Sequence, residues 1–301
     1  MELQERLKQG DVIIIDGGTG TEMEKRGAPM VEKGWCARST LTHPELLHQI
    51  HEDYIRAGAD IIITNTFATS RHVLEACGLS DQFEAINAAA TRIACEVRDH
   101  TADRPVDVAG SMSTTTFGTA QPPPAVAEAN FNRQAEILAE GGADFLILEM
   151  MRDIDYTNIV LKAAKRTGLP VWLGYSTAIK EDGQVRLLYH DVSLADALQT
   201  LSADDVPVVS IMHTLTEDIG SSLDMLQTHW SGPMGVYAHS GVFKPPHWQF
   251  IDIISPADYA AEAAKWVERG VQVIGGCCGI GPEHIEVLSA QLEGSIKGTD
   301  Q

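Results

Sequence analysis

Short apolar segments alternate with helical segments through most of this chain, and this alternation is the feature that most restricts its fold. Most of the apolar segments lead through a polar or glycine-rich loop into a stretch with helical periodicity. Continuous apolar strands separated by helices are typical of a parallel sheet covered by helices. The pattern predicts eight strands, at residues 11–16, 60–67, 106–112, 144–149, 170–176, 206–213, 234–239 and 271–278.

The helical segments lie between these strands, and several begin with proline and end before glycine, as at Pro256 and Gly270. The predicted helices cover residues 44–57, 82–99, 125–140, 155–165, 194–201, 217–229, 256–269 and 282–292. Eight strand–helix units in 301 residues predict an α/β fold with a single (β/α)8 TIM barrel domain over residues 1–301. A doubly wound open sheet is the alternative, disfavoured because no G-x-G-x-x-G turn follows an early strand.

Charge and cysteine content exclude several classes of partner. The chain has 42 acidic and 22 basic residues, a formal net charge of −20. Such an acidic surface argues against binding nucleic acid or membrane and favours small-molecule partners. The five cysteines are not spaced as a disulfide framework, and neither a signal peptide nor an apolar stretch of about 18 residues is found. A cytoplasmic protein is expected, either a monomer or a homo-oligomer.

Polar side chains occupy the carboxyl ends of nearly all the predicted strands, where barrel enzymes carry their active sites. Any one of these residues could be an ordinary strand end that meets water. Together, around one rim, they predict a site. The rim residues are Asp16, Asn65, Thr66, Ser111, Glu149, Ser176, His213, His239, Cys277 and Cys278.

The adjacent cysteines Cys277 and Cys278 follow two glycines at the end of the last strand. This arrangement lets two thiolates bind one soft metal ion, with Zn²⁺ as the leading candidate. A pair of inert buried thiols and a vicinal disulfide are the alternatives. His213, which ends the strand two before the cysteine strand, is the predicted third ligand, and His239 is the alternative. Two thiolates and one imidazole leave a fourth tetrahedral position open, as in catalytic zinc sites.

Glu149 follows the apolar run Phe145–Leu148 and must be paired or functional, because burying a lone carboxylate is costly. Either it forms a structural salt bridge, or it binds a cationic group of a substrate, such as an amine. An added thiol at the open metal position would be deprotonated at neutral pH. Such a thiolate is suited to attack an electrophilic methyl group.

With these residues the chain resembles the zinc-dependent homocysteine S-methyltransferases, a family of (β/α)8 barrels, over nearly its whole length. The glycine–cysteine motif is highly specific, and the other motifs fall in the right order. They are the stretch 16–22 with Arg26-Gly27 and Trp35, the stretch 51–60 leading into 64–67, Ala109-Gly110-Ser111, Leu148-Glu149, Ser240-Gly241, and 275–279 with 282–285.

The resemblance implies methyl transfer from a cationic donor to the thiolate of L-homocysteine, giving methionine. Cys277 and Cys278 would bind zinc, and Glu149 would hold the amino group of homocysteine with help from Asp16 and Gly17. Trp35 would face the donor, because its ring attracts a sulfonium or quaternary ammonium cation by ~0.5–2 kcal/mol; alternatively it only covers the core. We also predict substrate contacts at Asn65, Thr66, Ser111, Ser176 and His239.

Two departures from the family pattern affect the prediction. The family's third zinc ligand is a cysteine in a Gly-x-Asn-Cys context, where this chain reads Ser210-Ile211-Met212-His213. An imidazole ligand would make the thiolate-bound site less negative by about one charge, which favours a more reactive donor or another thiol or selenol. The family's Pro-Asn-Ser-Gly motif reads Ala238-His239-Ser240-Gly241 here, which affects the substrate contacts from that strand.

The donor prediction depends on two further positions. Betaine-using relatives carry an extra C-terminal dimerisation segment, whereas only residues 293–301 follow the last predicted helix, and Ala68 stands where those relatives have a tyrosine. Both features favour a sulfonium donor, S-methylmethionine first and S-adenosylmethionine second, over glycine betaine. A zinc-dependent barrel hydrolase and a metal or redox sensor are alternatives from other classes. Cys36, Cys77 and Cys95 are predicted to be packing residues, although Cys36 could reach the site.

Overall fold

The computed structural model describes residues 3–202 and 206–298 and contains an eight-stranded parallel sheet. Its strands are β1 (Ile13–Ile14), β2 (Ile61–Ile63), β3 (Asp107–Ser113), β4 (Phe145–Met151), β5 (Val171–Tyr175), β8 (Val209–Leu215), β9 (Met234–His239) and β12 (Val271–Gly276). Two antiparallel hairpins complete the strand set: β6 (Thr177–Ile179) with β7 (Val185–Leu187), and β10 (Val242–Lys244) with β11 (His247–Gln249). All eight predicted strands are therefore present, although the structure shortens β1, β2, β5 and β12, extends β4, and shifts β8 toward the C-terminus.

The sheet closes on itself, which confirms the barrel and excludes the open doubly wound alternative. The strand order is β1-β12-β9-β8-β5-β4-β3-β2. An isolated parallel bridge joins Ile15 to Ile61, the Asp16 amide donates to the Ile61 carbonyl at 2.9 Å, and the Asp60 amide donates to the Ile14 carbonyl at 2.7 Å. These contacts join β1 to β2 and close the barrel, and we call this junction the seam.

Helices cover the outside of the barrel at the predicted places, with extra short helices in the loops. The helices are α1 (Leu3–Gln9), α2 (Thr19–Lys25), α3 (Ser39–Thr42), α4 (Pro44–Arg56), α5 (Arg71–Ala76), α6 (Phe83–Thr101), α7 (Pro124–Glu140), α8 (Ile154–Lys165), α9 (Leu194–Gln199), α10 (Ile219–His229), α11 (Pro256–Glu268) and α12 (Pro282–Gly298). Within the described residues, none of them combines the length and apolar character needed to cross a lipid bilayer.

The prediction differs from the structure at the two ends of the chain and in the loops. Helices α1, α2, α3 and α5 were not predicted, because each is short and lacks a long apolar period. The last helix continues to Gly298, so most of the segment 293–301 belongs to it, and residues 299–301 lie outside the described residues. The prediction that residues 1–301 form one domain stays a prediction.

Two apolar layers hold the barrel together. The inner layer fills the barrel itself and includes Phe145 and Trp172, whose ring centroids are 4.5 Å apart. The outer layer lies between the strands and the helices and is formed by residues such as Leu146 and Phe131. Because the inner layer packs the barrel solid, substrates have access only to its ends. The polar strand ends and the two hairpins lie at the carboxyl end.

Candidate metal and substrate site

His213, Cys277 and Cys278 meet at the carboxyl end of the barrel with their potential ligand atoms within 4.8 Å of one another. The His213 Nδ1 atom is 3.4 Å from the Cys277 Sγ atom, and the two Sγ atoms are 3.9 Å apart. A tetrahedral Zn²⁺ with ordinary bond lengths would separate nitrogen from sulfur by about 3.6 Å and sulfur from sulfur by about 3.8 Å. The cluster thus has the size and the soft donor set that such an ion requires.

Tight backbone packing fixes the two cysteines. The Cys277 amide donates to the Ala238 carbonyl at 2.9 Å, and the Ser240 amide donates to the Cys278 carbonyl at 3.0 Å, so the pair is tied to the end of β9. A Cβ atom on Gly275 would lie 2.3 Å from a side-chain carbon of Ile15, and hence only glycine lets β12 approach β1 this closely. The cysteines are therefore positioned by the barrel wall and not by a flexible loop.

His213 is positioned by an irregularity in β8. The register between β8 and β9 shifts between Met212 and Leu215, and His213 has a φ of +43°, a strained left-handed conformation for a residue other than glycine. Its ring stacks on His239 at a centroid distance of 4.4 Å and meets the edge of Trp248 at 6.0 Å. Burial, with smaller effects from His239 and Arg152, lowers the pKa of His213 well below its ordinary value. The imidazole is thereby kept neutral, the form that binds metals.

Without a bound cation, the thiols of Cys277 and Cys278 do not readily ionise together, because two neighbouring negative charges repel each other. The pKa of Cys278 is raised well above its ordinary value by its contact with the Cys277 sulfur and by burial. A bound divalent cation would reverse this effect, because a coordinating thiol is deprotonated. The observed sulfurs are free and 3.9 Å apart, so the vicinal disulfide is not the form present in this structure.

Glu149 lies on β4 and faces the same cavity as the three potential ligands. Ser111 donates a very short hydrogen bond to its Oε2 atom. Burial raises the pKa of Glu149 to about 7, while Ser111 and the Tyr237 hydroxyl partly offset that rise. The described part of the chain provides no salt-bridge partner for Glu149, so the structural salt bridge considered above is not found there.

Asp16 is completely buried directly behind the cavity wall, at the seam between β1 and β2. Its Oδ2 atom accepts a hydrogen bond of 2.7 Å from the Ile63 amide, and none of the described residues binds its Oδ1 atom. Burial, together with the negative charge of Glu149, raises the pKa of Asp16 well above its ordinary value. Among the residues that the structure describes, no cation pairs with either of these two neighbouring buried carboxyl groups.

The predicted substrate-binding residues divide into two groups. Gly17, Trp35 and Asn65 line the cavity, as do Glu149 and the three potential metal ligands. The others support this wall from behind. Thr66 donates to the Ser111 carbonyl at 2.7 Å, Ser111 donates to Glu149, Ser176 donates to the Met212 sulfur at 3.2 Å, and His239 packs against His213.

The cavity has a volume of about 700 Å³ and one predominantly aromatic wall. The aromatic side chains on this wall are Trp35, Phe67, Phe117, Phe243 and Trp248, and we call them the aromatic wall. Trp35 and Phe243 meet edge to face at 6.3 Å, and Phe117 lies 6.3 Å from Phe243. Such a wall attracts cations through the faces of its rings. Among its members, only Trp35 was predicted.

Glu24 of α2 connects two parts of the aromatic wall that are distant in sequence. Its Oε2 atom accepts hydrogen bonds from the Trp35 indole at 3.2 Å and from the Trp248 amide at 3.0 Å. Its Oε1 atom accepts a further bond from His247 at 2.8 Å. One carboxylate thus holds the loop of Trp35 against the hairpin formed by β10 and β11.

Backbone strain is concentrated around the cavity. Among the described non-glycine residues, those with positive φ are Lys33, Trp35, Phe117, Met150, Tyr189, His213 and Asp252, and all except Asp252 line the cavity. Strain of this kind costs of order 1–3 kcal/mol per residue and tends to be retained at functional sites. The distribution supports the assignment of this cavity as the functional site.

Besides most of the aromatic wall, Cys36 and Arg152 are cavity residues that were not predicted as site residues. Cys36 is buried, donates from its sulfur to the Asn65 side-chain oxygen at 3.3 Å, and packs against Trp35 and Cys278. Burial raises the pKa of Cys36 to about 12, which suits a packing residue. Arg152, directly after β4, also lines the cavity. The position of Cys36 beside Trp35 was a weak signal that it could reach the site. Arg152 was missed because the predicted strand ends at Glu149, whereas β4 continues to Met151.

Comparisons with known proteins agree with this geometry. The family model described as homocysteine S-methyltransferase matches residues 13–292. A selenocysteine Se-methyltransferase from Brassica oleracea var. italica is 27% identical over 96% of this chain and 92% of its own length. The homocysteine S-methyltransferase YbgG of Bacillus subtilis is 27% identical over 99% of both chains, and a betaine–homocysteine S-methyltransferase 1 of Danio rerio is 30% identical over 96% of this chain and 74% of its own.

A solved structure has the same fold. The metallated form of the homocysteine methyltransferase MmuM from Escherichia coli matches with a TM-score of 0.79 at 24% sequence identity. The match covers 96% of this chain and 99% of the other. At this level of identity, the match supports the barrel alone.

Proposed function

Because the chain belongs to the homocysteine S-methyltransferase family, we propose that it transfers a methyl group from a sulfonium donor to the thiolate of L-homocysteine at a zinc site, giving methionine. The observation that carries the proposal is the cluster of His213, Cys277 and Cys278 beside Glu149 in one cavity. Family membership disfavours the barrel hydrolase and the metal or redox sensor considered above.

Cys277, Cys278 and His213 would hold the zinc ion, which, when bound, keeps the acceptor thiol deprotonated at neutral pH. In the transfer, the thiolate sulfur forms a bond to the methyl carbon while the bond from that carbon to the sulfonium sulfur breaks. The donor leaves as a neutral thioether, so no proton has to move in this step. The residues of the chain contribute by orienting the two sulfur atoms and excluding water.

The amino group of homocysteine would bind near Glu149 and Asp16. Both carboxyl groups are buried without a cationic partner among the described residues, and the Oδ1 atom of Asp16 has no hydrogen bond there. An ammonium group would supply the missing charge and favour the ionised form of Glu149. Gly17 lines the cavity next to Asp16, and only glycine fits there, because a Cβ atom would lie 2.2 Å from the Ile280 carbonyl oxygen.

The sulfonium donor would lie against the aromatic wall. Sulfonium cations are poorly served by hydrogen bonds and well served by ring faces, each worth about 0.5–2 kcal/mol. S-methylmethionine is the favoured donor and S-adenosylmethionine is the second choice. Ala68, where betaine-using relatives carry a tyrosine, is buried beside Ala37 and adds no side chain to the cavity, which supports a sulfonium over glycine betaine.

A selenol or another thiol is the second candidate acceptor. The observation in its favour is His213 in place of a third thiolate, which makes the proposed site less negative and lowers the pKa of a bound acceptor further. One relative, named a selenocysteine Se-methyltransferase, is consistent with this alternative. Parallel assays with L-homocysteine and L-selenocysteine distinguish the two acceptors.

The decisive experiment is X-ray absorption at the zinc edge of the reduced protein, with and without L-homocysteine. We expect two sulfur ligands with nitrogen or oxygen ligands in the free protein, and three sulfur ligands after homocysteine is added. Cys277→Ser should remove one sulfur, whereas Cys36→Ser should leave the sulfur count unchanged. Absence of zinc, or a number of sulfur ligands that does not change when homocysteine is added, would contradict the proposal.

A further inference from the structure

Arg152 places a positive charge in the cavity, and none of the described carboxylates forms an ion pair with it. The residue follows β4 and lines the same cavity as Glu149 and His213. Its side chain is partly buried, and no described residue accepts a hydrogen bond from its Nε atom. The guanidinium carbon lies 5.6 Å from the centroid of the Tyr189 ring, another cavity residue.

Most of the other partly buried arginines among the described residues form ion pairs, the exceptions being Arg71 and Arg104. Arg26 contacts Glu22 and Asp53, and Arg98 contacts Asp99 and Asp144. Arg186 and Arg269 likewise form ion pairs with aspartates. In a chain with 42 acidic residues and only 22 basic ones, carboxylates are plentiful. Arg71 lies on the Phe83 ring and Arg104 donates to backbone carbonyls, and neither of them lines the cavity as Arg152 does. An arginine without a carboxylate is unusual at a partly buried position, because unpaired buried charge is costly.

The neighbouring acid does not provide the missing partner. The Oδ1 atom of Asp153 accepts a hydrogen bond of 2.6 Å from the Tyr156 amide and caps the start of α8. This bond directs the carboxylate toward the helix, and no ion pair between Asp153 and Arg152 is formed in the described structure. Stacking on Tyr189 covers one face of the guanidinium and leaves its N–H edge available, the edge that binds carboxylates through two parallel hydrogen bonds.

The position of Arg152 distinguishes the two substrates. Glu149 is buried, with 7% of its surface exposed, whereas the Arg152 guanidinium lies over the ring of Tyr189, which is 70% exposed. Arg152 thus lies toward the open side of the cavity, and Glu149 lies deeper in it. The amino and carboxylate groups of an α-amino acid share one carbon atom. An acceptor held by Glu149 through its amine therefore presents its carboxylate close to Glu149 and not to Arg152.

We propose that Arg152 binds the carboxylate of the methyl donor, so that the enzyme selects sulfonium or other onium donors that carry a carboxylate on a short chain. This inference rests on the proposed methyl transfer and adds a specificity-determining residue to it. The aromatic wall attracts the cationic end of the donor, and Arg152 attracts its anionic end. A donor held at both ends presents its methyl group to the acceptor sulfur in one orientation.

The test compares donors that differ only in this charge. S-methyl-L-methionine, dimethylsulfoniopropionate and glycine betaine are each assayed beside their carboxamides, with L-homocysteine as acceptor. For at least one pair, the wild-type protein should use the carboxylate with a kcat/KM about 10- to 100-fold higher, the range expected for a charge-assisted bidentate contact. Arg152→Met should bring this ratio close to one, and Arg152→Lys should give an intermediate ratio. The KM for L-homocysteine should change much less than the ratio.

Arg71→Met is the matched control, because Arg71 is also partly buried and stacked on an aromatic ring, 4.2 Å above Phe83, but does not line the cavity. This variant should keep the wild-type ratio. Lys33→Met tests the lysine that also lines the cavity. If Lys33→Met loses the preference for the carboxylate donor and Arg152→Met keeps it, the assignment to Arg152 is overturned.

The outcomes separate this inference from the proposed function. Equal use of carboxylate and carboxamide by the wild-type protein would overturn the inference and leave methyl transfer standing. A loss in Arg152→Met that is the same for both members of a pair would show a structural role, and a rise confined to the KM for L-homocysteine would assign Arg152 to the acceptor. Absence of transfer from every donor would overturn the proposed function, and this inference with it.

Discussion

The two sides of the cavity are built by different means. The metal cluster is carried by strands β8 and β12, whose backbones are hydrogen-bonded to β9 on either side. The residues of the aromatic wall lie in loops and in the hairpin of β10 and β11, which forms a sheet separate from the barrel. Bond-length accuracy is needed where a metal is bound, and the sheet supplies it.

The aromatic wall has a different requirement. A cation over ring faces tolerates displacements that a coordination bond does not, because the attraction falls off gradually with distance. Loops tied together at single points, such as Glu24, are sufficient for this purpose. We call the metal cluster with Glu149 the strand side of the cavity and the aromatic wall its loop side. We therefore expect substitutions on the strand side to abolish methyl transfer, and substitutions on the loop side to change which donor is used.

The largest effect is expected for Cys277→Ser, which removes a thiolate from the strand side. Zinc content should fall, and kcat/KM should drop about 10³-fold or more, because the acceptor thiol is no longer activated. Cys95→Ser is the matched control, since Cys95 does not line the cavity. Metal analysis of both variants, together with methionine formation, measures the effect. Full activity in Cys277→Ser would show that the cluster has no catalytic part.

Glu149→Gln should have the next largest effect, about 100-fold in kcat/KM for L-homocysteine, with zinc content unchanged. The amide keeps the shape of the side chain and the contact with Ser111 but removes the charge that an ammonium requires. Glu136→Gln, on the exposed face of α7, is the control. Equal binding of homocysteine by the wild-type protein and Glu149→Gln, measured by calorimetry, would contradict the proposed role.

The same residue predicts a pH dependence. The pKa of Glu149 is raised to about 7 in the substrate-free protein, so its ionised fraction falls as the pH drops through 7. Affinity for homocysteine should therefore weaken below about pH 7, and Glu149→Gln should flatten this part of the profile. An unchanged slope in the variant would assign the titration to another group.

His213→Cys should change rate and acceptor preference by about tenfold while zinc stays bound. A third thiolate makes the site more negative, which raises the pKa of a bound thiol and increases its nucleophilicity. Kinetics with L-homocysteine and L-selenocysteine check the direction. The hypothesis fails if affinity, donor range and rate all remain as in the wild-type protein. Thr214→Ser, a neighbour buried behind the wall, is the control for damage to β8.

Glu24→Gln is expected to have the smallest effect and to act only on the loop side. It weakens the hydrogen bonds that join Trp35 to the hairpin, each worth about 1 kcal/mol, and should raise the donor KM about 3- to 10-fold. Zinc content and the KM for homocysteine should remain as they are. Glu268→Gln, on the exposed side of α11, is the control. A loss of zinc in Glu24→Gln would show that the two sides are not independent.

The sequence predicts the strand side well. Buried parallel strands form continuous apolar runs, and the carboxyl-end rule brings their last residues together. Cys277, Cys278, His213 and Glu149 were located in this way, and the structure places them around one cavity. That such residues bind zinc and substrate stays a prediction.

The rule that active sites lie at the carboxyl ends of the strands does not predict whether each side chain points into the cavity or away from it. Thr66 and Ser176 lie at strand ends but hydrogen-bond behind the wall, because the backbone alternates and irregularities re-aim it. Register shifts in β4 and β8 are such irregularities. The hairpin strands that carry Phe243 and Trp248 have three residues each, too few for a pattern of alternation to be recognised.

The seam between β1 and β2 links the fold of this protein to its ligand. Asp16 closes that seam through the Ile63 amide, and its other oxygen accepts no hydrogen bond from the described residues. We propose that the amino group of homocysteine binds near this oxygen. An ammonium there would hold the carboxylate ionised and strengthen the bond that joins the first strand to the second. An isolated bridge and a few backbone hydrogen bonds also join β1 to β2, and homocysteine would reinforce this junction. Local opening, seen as exchange of the Ile63 amide hydrogen with deuterium, should slow when the amino acid is added.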